Sequence, residues 1–335
     1  MLFSELCDII KSISFWSSKN MQKLYFIVNL LAGRATIGDK LGEIIDEFNK
    51  AHFEVTVHIT QSGTDAADSA QYACENGFDL IVCAGGDGTL SQCLQGMMKS
   101  RSRVPIGYLP AGSTNDFARS LGIPKNTMDA VKWITDGTPT PCDIGSFNDD
   151  YFSYIVAFGA FTSVAYATSQ QIKNVLGHVS YVLNGMTQLN TLRSKRMRIE
   201  YDGNVIEGDY IFGMVTNSAS VAGLLSMNDF YLDDGVFEVT LIKKPANIIQ
   251  LQQIVRSLLN ISVEIDKDYI KFFRTDRITF TSLGGEEITW TRDGEYGGNA
   301  AENVICNCQR AVSFMIGDRG MPAYDDPIEN YLAEV

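Results

Sequence analysis

The stretch "FDLIVCAGGDGTLSQ", residues 78–92, contains the pattern that decides the fold. It begins with an apolar run without regular polar alternation, as in a strand of a parallel sheet that is covered on both faces. Three glycines and one acid follow the run, and "TLSQCLQGMMKS" continues with helical spacing. A strand that ends in glycines before a helix leaves backbone N–H groups free at the helix N-terminus. The stretch therefore predicts an anion-binding loop.

The first half of the chain repeats this alternation of strand and helix. The strand-like runs are "KLYFIVNL", "FEVTVHIT" and "PIGYLP", and the helical segments between them include "GDKLGEIIDEFNKA" and "GTDAADSAQYACENG". Such alternation predicts a doubly wound α/β domain with a parallel sheet. In this architecture the ligand binds at the carboxyl ends of the strands, where the glycine loop lies.

From Cys142–Asp143 onward the pattern changes, and β-like runs such as "YFSYIVAFGAF", "DGVFEVTLIKK" and "NVICNCQRAVSFMI" dominate. Turn signals such as "YDGN" separate them, which predicts a second, mainly antiparallel β domain. The predicted organisation is an N-terminal extension at residues 1–20, an α/β domain at 21–142, a β-rich domain at 143–315, and a C-terminal segment at 316–335 that packs back on the first domain.

Composition excludes several classes of function. The chain has 335 residues and a formal net charge of −13, which argues against a nucleic-acid partner. No apolar run reaches the roughly 20 residues of a transmembrane helix. Seven cysteines without a CxxC pair indicate reduced thiols in a cytoplasmic protein. Three histidines without ligand-like spacing make a zinc site unexpected.

The loop "GGDGT" carries the first candidate chemistry. Thr89 and Ser91 supply hydroxyls for phosphate oxygens. Asp87 is explained in an anion site if it faces a Mg²⁺ ion or a ribose hydroxyl. The loop contains neither the Gly-Lys-Ser/Thr of a P-loop nor the dinucleotide pattern G-x-G-x-x-G. Taken alone, it leaves open the alternative of an ordinary glycine-rich turn.

A second loop of the same kind follows the next predicted strand, in "PAGSTNDFAR", residues 110–119. It places Ser113, Asn115 and Asp116 directly after the strand. Because parallel strands bring their carboxyl ends to one edge of a sheet, both loops are expected at the same place. Two such loops strengthen the prediction of a nucleotide-phosphate site with a cation nearby.

These two loops, together with "VNLLAGRA" at 28–35, "FYLDDGVFEV" at 230–239 and "RDGE" at 292–295, resemble the diacylglycerol kinase catalytic family of lipid kinases. The resemblance covers about residues 23 to 315, nearly the whole chain. It implies a first domain like that of phosphofructokinases and NAD kinases, which binds the nucleotide. It also implies a second domain built as a mainly antiparallel β-sandwich, which binds the lipid.

The resemblance implies that ATP and Mg²⁺ are the cofactors and that the γ-phosphoryl group passes to a lipid hydroxyl, with diacylglycerol converted to phosphatidic acid as the first choice. The family has Pro and Ser where this chain has Leu30 and Ala32, so the nucleotide contacts near the first strand stay open. The implied nucleotide-binding residues are Asn29, Gly33, Arg34, Thr64, Gly85, Gly86, Asp87, Gly88, Thr89, Ser91, Ser113, Asn115 and Asp116.

Asp293 and Glu295 are the implied catalytic pair, because a lipid hydroxyl has a high pKa and needs a positioned carboxylate to take its proton. Asp293 is the first choice as base, although the sequence does not order the two. The alternative is a solvated hairpin turn, since Asp-Gly between strands is a turn signal.

Metal sites are also implied by the resemblance. Asp87 is expected to help hold the Mg²⁺ of the nucleotide. Asp234, with the carbonyl groups of Tyr231 and Val236, is expected to hold a structural Mg²⁺ in the second domain. The alternative for this second stretch is a type I′ turn that binds no metal.

The expected partner is a lipid substrate at the membrane surface, which a cytoplasmic protein meets transiently and peripherally. The family includes homodimers, so a homodimer is possible as well. Two other functions stay open. An NAD kinase shares the GGDGT loop but has Asn-Glu where this chain has Asn115–Asp116. A regulator of the same fold would bind nucleotide without catalysis. The lipid, its acyl preference and the purpose of residues 1–20 stay open too.

Overall fold

The computed structural model describes residues 21–33, 37–113, 115–159, 193–217, 220–221, 225–226, 231–247, 249–251, 253–254 and 268–317. The predicted N-terminal extension, Arg34 and most of the predicted C-terminal segment lie outside these ranges. Below, residues 21–142 are called the first half of the chain and residues 143–317 the second half.

The first half contains a parallel sheet in the order β4-β3-β1-β2. Its strands are β1 (Gln22–Val28), β2 (Phe53–Ile59), β3 (Leu80–Gly85) and β4 (Ile106–Pro110). A short 3-10 turn at Gly38–Lys40 precedes the helices, which are α1 (Leu41–Lys50), α2 (Asp65–Glu75), α3 (Asp87–Lys99), α4 (Asp116–Ser120) and α5 (Thr127–Thr135). Every residue of β3 is buried, as its continuous apolar run predicts.

Antiparallel strands make up the second half, and the first of them begins in the last residues of the first half. They are β5 (Thr138–Phe147), β6 (Asp150–Phe152), β7 (Ile155–Gly159), β8 (Lys195–Tyr201), β9 (Asn204–Thr216), β10 (Ser220–Val221), β11 (Leu225–Ser226), β12 (Phe237–Lys243), β13 (Ile270–Thr275), β14 (Arg277–Ser282), β15 (Ile288–Arg292), β16 (Glu295–Ala300) and β17 (Glu302–Ile316). The long strand β9 lies at the centre and pairs with β7, β8 and β12.

Strand β17 joins the two halves. It pairs with β14 and β5, and its residue Phe314 then pairs in parallel with Ile106 of β4. The register with β5 shifts between Cys308 and Val312, and Arg310 within this irregularity has a positive φ of 53°. The bulge bends the strand so that one segment serves both sheets.

Two hydrophobic clusters make up the core. The larger one covers the parallel sheet and its helices and extends to Tyr154 and Ile155 in the second half. The smaller one lies in the β-rich part, where the Trp290 ring packs against Phe158 and Phe280 at centroid distances of 4.8 and 5.0 Å. Both clusters border the segment between β6 and β7, so this segment lies where the halves meet.

The fold class predicted from the sequence is confirmed. The "YDGN" turn closes the β8–β9 hairpin with positive φ at Asp202 and Gly203, as a type I′ turn requires. One local prediction is wrong: the run "YFSYIVAFGAF" is divided into β6 and β7 by Ser153 and Tyr154. The predicted domain boundaries stay a prediction. None of the helices in the described ranges has the length and apolar character that a membrane crossing requires.

Candidate active site

The two glycine loops contact each other at the carboxyl ends of β3 and β4. Backbone N–H of Ala111 donates to the Gly85 carbonyl at 2.8 Å. A Cβ on Gly112 would lie only 2.6 Å from the Cα atom of Gly86. The two loops can therefore approach this closely only because Gly86 and Gly112 have no side chains. Gly33 after β1 closes the group, since it has a φ of 55° and a Cβ there would lie 2.2 Å from the Ala111 carbonyl oxygen.

Asn115 fixes the shape of the second loop. Its side-chain oxygen accepts from the Gly112 N–H at 2.9 Å, and its amide donates to the Gly112 carbonyl at 2.8 Å. Its φ of 51° lies in the left-handed region, which asparagine tolerates better than most residues. Ser113, which directly follows this glycine, is exposed at the edge of the sheet. Asn115 therefore shapes the loop through its side chain.

Asp87 links the two loops. It is the first residue of α3, and its carboxylate accepts from the backbone N–H groups of Asp116 and Phe117 at 3.2 and 3.4 Å, at the start of α4. Nearby, Asn29 donates to the Thr89 hydroxyl at 3.0 Å, which connects the end of β1 with the first turn of α3. The structure thus brings together residues of three strand ends that the sequence predicted to meet.

Asp293 lies in the turn between β15 and β16, and it is buried with 3 % of its surface exposed. Its carboxylate oxygen Oδ2 accepts from Ser91 Oγ at 3.0 Å, from Ser153 N at 2.7 Å and from Ser153 Oγ at 3.0 Å. Its Oδ1 accepts from the N–H groups of Tyr154 and Ile155 at 3.1 and 3.2 Å. The solvated-turn alternative is therefore wrong, although Asp293 and Gly294 do have the positive φ angles of a type I′ turn.

The carboxylates of the site repel one another. Burial raises the pKa of Asp87 to about 6, and the charges of Asp116 and Asp293 add to this effect. Burial also raises the pKa of Asp116 and of Asp293, in the second case against the lowering effect of the hydrogen bonds from Ser153, Tyr154 and Ile155. A bound divalent cation would relieve this repulsion, so the donor set at Asp87 fits a hard cation.

Two adjoining cavities of about 230 Å³ each open at these residues, and both border on Gly88 and Glu295. A Cβ on Gly88 would lie 2.7 Å from Glu295 Oε1, so the Glu295 side chain reaches over the glycine loop at Gly85 to Thr89. The first cavity lies at the strand ends and is lined by residues that include Asn29, Gly33, Gly86 and Thr89. The second runs along α3 towards Asp293 and is lined by residues that include Thr64, Ser91, Lys99 and Arg292.

The predicted second metal site is arranged differently. One oxygen of Asp234 contacts Arg274 Nη2 at 2.8 Å and the other accepts from Val236 N at 3.2 Å, while Tyr231 is exposed. Both carboxylate oxygens thus have protein partners, as those of Asp87 also do, and the ion at Asp234 stays a prediction. Among the described residues no group of three His, Cys, Asp or Glu side chains lies close enough together to hold one. The turn is not type I′ either, because Gly235 has a positive φ but Asp234 does not.

Sequence reasoning missed two residues that shape this region. Ser153 contributes two donors to Asp293, and its only local signal was a polar residue within an apolar run. Asp143 is fully buried and accepts from Gly235 N and Arg310 N, both at 2.7 Å, so it joins the "YLDDGV" turn to the bulge of β17. Its only signal was a single acid between Cys142 and Ile144, at the point where the sequence pattern changes.

Comparisons with known proteins agree with this geometry. Residues 23–147 match the family described as "Diacylglycerol kinase catalytic domain". A diacylglycerol kinase of Bacillus subtilis (strain 168) is 34% identical over 280 residues, which cover 83% of this chain and 91% of the relative. This chain belongs to the diacylglycerol kinase catalytic family. It is a lipid kinase.

Further matches extend over the rest of the kinase. Residues 155–312 match the "YegS C-terminal NAD kinase beta sandwich-like domain". A diacylglycerol kinase of Staphylococcus carnosus (strain TM300) is 32% identical over 280 residues, 83% of this chain and 90% of the relative. A solved structure of a diacylglycerol kinase from Bacillus anthracis str. Sterne shares the fold, with a TM-score of 0.70, 23% identity, and coverage of 90% of the kinase and 100% of that chain. Of the three functions that the sequence left open, the comparisons support the lipid kinase rather than the NAD kinase or the regulator.

Proposed function

We propose that the kinase transfers the γ-phosphoryl group of ATP to the hydroxyl group of diacylglycerol, which gives phosphatidic acid and ADP. The observation that carries the proposal is the position of Asp293, a buried carboxylate beside the phosphate loop that is hydrogen-bonded to Ser91 of α3. A raised pKa brings a carboxylate closer to neutral pH, where it serves better as a general base. The name of the bacterial relatives supports diacylglycerol as the acceptor.

The nucleotide phosphates are assigned to the first cavity, where Gly86 to Thr89 present backbone N–H groups at the start of α3. Asp87, in the same loop, would hold a Mg²⁺ ion, and a bound Mg²⁺ would neutralise charge on the transferring phosphoryl group. Thr64 lines the second cavity, at the start of α2, so its predicted contact with the nucleotide stays a prediction. The second ion predicted at Tyr231, Asp234 and Val236 is not part of the proposal.

The acceptor hydroxyl is assigned to the second cavity, next to Asp293. Asp293 takes the hydroxyl proton as the acceptor oxygen forms its bond to the γ-phosphorus atom. The bond between that phosphorus and the bridging oxygen breaks, and ADP leaves with the electron pair. Glu295, which reaches over Gly88, orients the reacting groups, and Lys99 and Arg292 balance charge along the cavity wall.

The test is phosphoryl transfer from labelled ATP into a panel of lipids in mixed micelles with Mg²⁺, followed by lipid separation. Label in phosphatidic acid is expected, and label in another lipid alone would replace diacylglycerol as the substrate. The variant Asp293→Asn should lose turnover by at least about 100-fold, the usual contribution of a general base, while it still binds ATP. Turnover at the wild-type rate in this variant would remove Asp293 from the proposed role.

Two further expectations belong to the proposal. The kinase should meet its substrate by transient binding to the membrane surface, which co-sedimentation with diacylglycerol-containing vesicles would detect. A homodimer, as the resemblance implies, would appear in analytical ultracentrifugation at twice the mass of the chain. A single species at the monomer mass over the accessible concentration range would contradict it.

A further inference from the structure

The hydrogen bonds on Asp293 exceed what a carboxylate usually accepts. An ionised carboxylate offers about four lone-pair directions, and the five N–H and O–H contacts described above occupy them. One of the two hydroxyl donors therefore has to turn away when the acceptor hydroxyl bonds to Asp293. Three of these contacts come from backbone N–H groups, which are fixed by the chain. The other two come from the hydroxyls of Ser91 and Ser153, which rotate.

We propose that Ser91 and Ser153 are positioning residues for the kinase reaction, and that their hydroxyls hold the Asp293 carboxylate as the proton acceptor from opposite sides of the cleft. This inference rests on the proposed function, because it takes Asp293 as the base. Ser153 holds Asp293 from within the second half of the chain. Ser91 holds it from helix α3, whose first turn carries the phosphate loop.

The surroundings of Ser91 show that this contact belongs to a larger seam between the halves. Gly88, Ser91 and Gln95 follow one another at spacings of three and four residues, so they share one face of α3. Gln95 donates to the Tyr151 carbonyl and accepts from Tyr151 N at 3.2 Å. Gly88 leaves the space that Glu295 fills. This face of α3 therefore packs against the second half at three successive points, and the middle one is the bond to the base.

The two hydroxyls act on the charge of Asp293. A donor that bonds to the ionised form favours that form, so the loss of either hydroxyl raises the pKa of Asp293 further. The other charged groups around the carboxylate are unchanged by these substitutions. They are Asp87 on α3, whose charge interacts with that of Asp293, and four groups that line the second cavity with it: Lys99 at the end of α3, Asp150 on β6, Arg292 on β15 and Glu295 on β16. The shift can therefore be assigned to the missing donor.

The experiment compares Ser91→Ala and Ser153→Ala with the wild-type kinase in the labelled-ATP assay between pH 5.5 and 8.5. On the acidic limb of the wild-type profile we expect kcat to fall about tenfold in each variant, with the KM for ATP changed less than about twofold. The acidic limb of the kcat profile should move up by about one pH unit, which corresponds to one hydrogen bond to a charged group. Ser91→Asn should restore the profile, because an amide N–H also donates.

Ser146→Ala is the matched control, since Ser146 Oγ donates to the Cys306 carbonyl at 3.2 Å, away from the site. It should keep the wild-type profile. An unchanged acidic limb in both Ser91→Ala and Ser153→Ala would overturn the inference. A loss in Ser91→Ala that appears only as a higher KM for ATP would also overturn it, and would assign Ser91 to the nucleotide phosphates.

A second measurement is independent of activity. The ionisation of Asp293 can be followed by the ¹³C chemical shift of its carboxyl carbon, identified as the signal that Asp293→Asn removes. Its midpoint should move to higher pH in Ser91→Ala and Ser153→Ala. If the wild-type chain phosphorylates no lipid but this midpoint moves, the proposed function fails while the positioning of Asp293 stands. An unmoved midpoint overturns the inference whatever the activity.

Discussion

Replacement of Asp87 by Asn should inactivate the kinase and stabilise its fold at neutral pH. The pKa of Asp87 is raised from its ordinary 3.8 to about 6, first by burial and then by the charge of Asp116. A carboxyl whose pKa is raised by folding is protonated at low pH, and its ionisation opposes folding as the pH rises through 6. The variant has no group to ionise, so it escapes this loss of stability.

The magnitude follows from the shift. About two pKa units at 1.36 kcal/mol per unit give roughly 3 kcal/mol as an upper bound on the destabilisation at pH 7. Asn keeps only one of the two acceptors that bond Asp116 N and Phe117 N, which costs about 1 kcal/mol at every pH. The net gain is at most about 2 kcal/mol, which is at most roughly 3 °C in melting temperature for a chain of this length.

Thermal unfolding by circular dichroism at pH 4.5, 5.5, 6.5 and 7.5, with EDTA present, measures this effect. The melting temperature of Asp87→Asn relative to wild type should rise across this range and level off above pH 6.5. Asp149→Asn, at an exposed carboxylate, should show no such trend. Added Mg²⁺ should raise the melting temperature of the wild type alone. A difference that does not depend on pH, or a variant that melts lower at pH 7.5, would refute the reasoning.

Two further predictions concern stability. Gly96→Ala should lower the free energy of unfolding by about 1–3 kcal/mol in urea titrations, because the alanine Cβ would lie 1.9 Å from the Ala67 carbonyl oxygen, where α2 and α3 meet. Gly42→Ala is the control: the space around Gly42 is open, so this variant should not destabilise the protein. Between pH 5.5 and 8.5 the melting temperature of Glu238→Gln should fall less than that of the wild type. Burial raises the pKa of Glu238 to about 7 despite the ion pair with Arg274, so its ionisation opposes folding as the pH rises. Parallel curves of melting temperature against pH for the two proteins would contradict this.

The sequence predicted the features that depend on local pattern. The apolar run of β3 and the glycines after it place Gly85 to Thr89 correctly at a strand end, and the same logic places Asn115 and Asp116 beside them. Parallel strands leave little freedom in where their loops go, so two short motifs were enough to predict that these residues meet.

What the sequence did not predict depends on contacts across the chain. Ser153 interrupts a strand because its N–H and hydroxyl bond to Asp293, 140 residues away. Apolar periodicity does not contain that information, since Phe152 and Tyr154 on either side of Ser153 are typical strand residues. Ser91 was expected to face phosphate from its position in the motif, whereas its hydroxyl donates to the Asp293 carboxylate. The direction of the Ser91 hydroxyl depends on Asp293, a residue 202 positions away in the sequence.

Strand β17 has a consequence for synthesis of the chain on the ribosome. The nucleotide side is made first, but its strand β4 receives its neighbour from Phe314, near the end of the described chain. Until that segment emerges, β4 has an unpaired edge, which favours pairing with other chains. A fragment that ends at residue 147 keeps this open edge permanently, so we expect it to aggregate where the complete chain does not. In this enzyme the sheet that carries the two glycine loops is complete only after residue 314 has been translated.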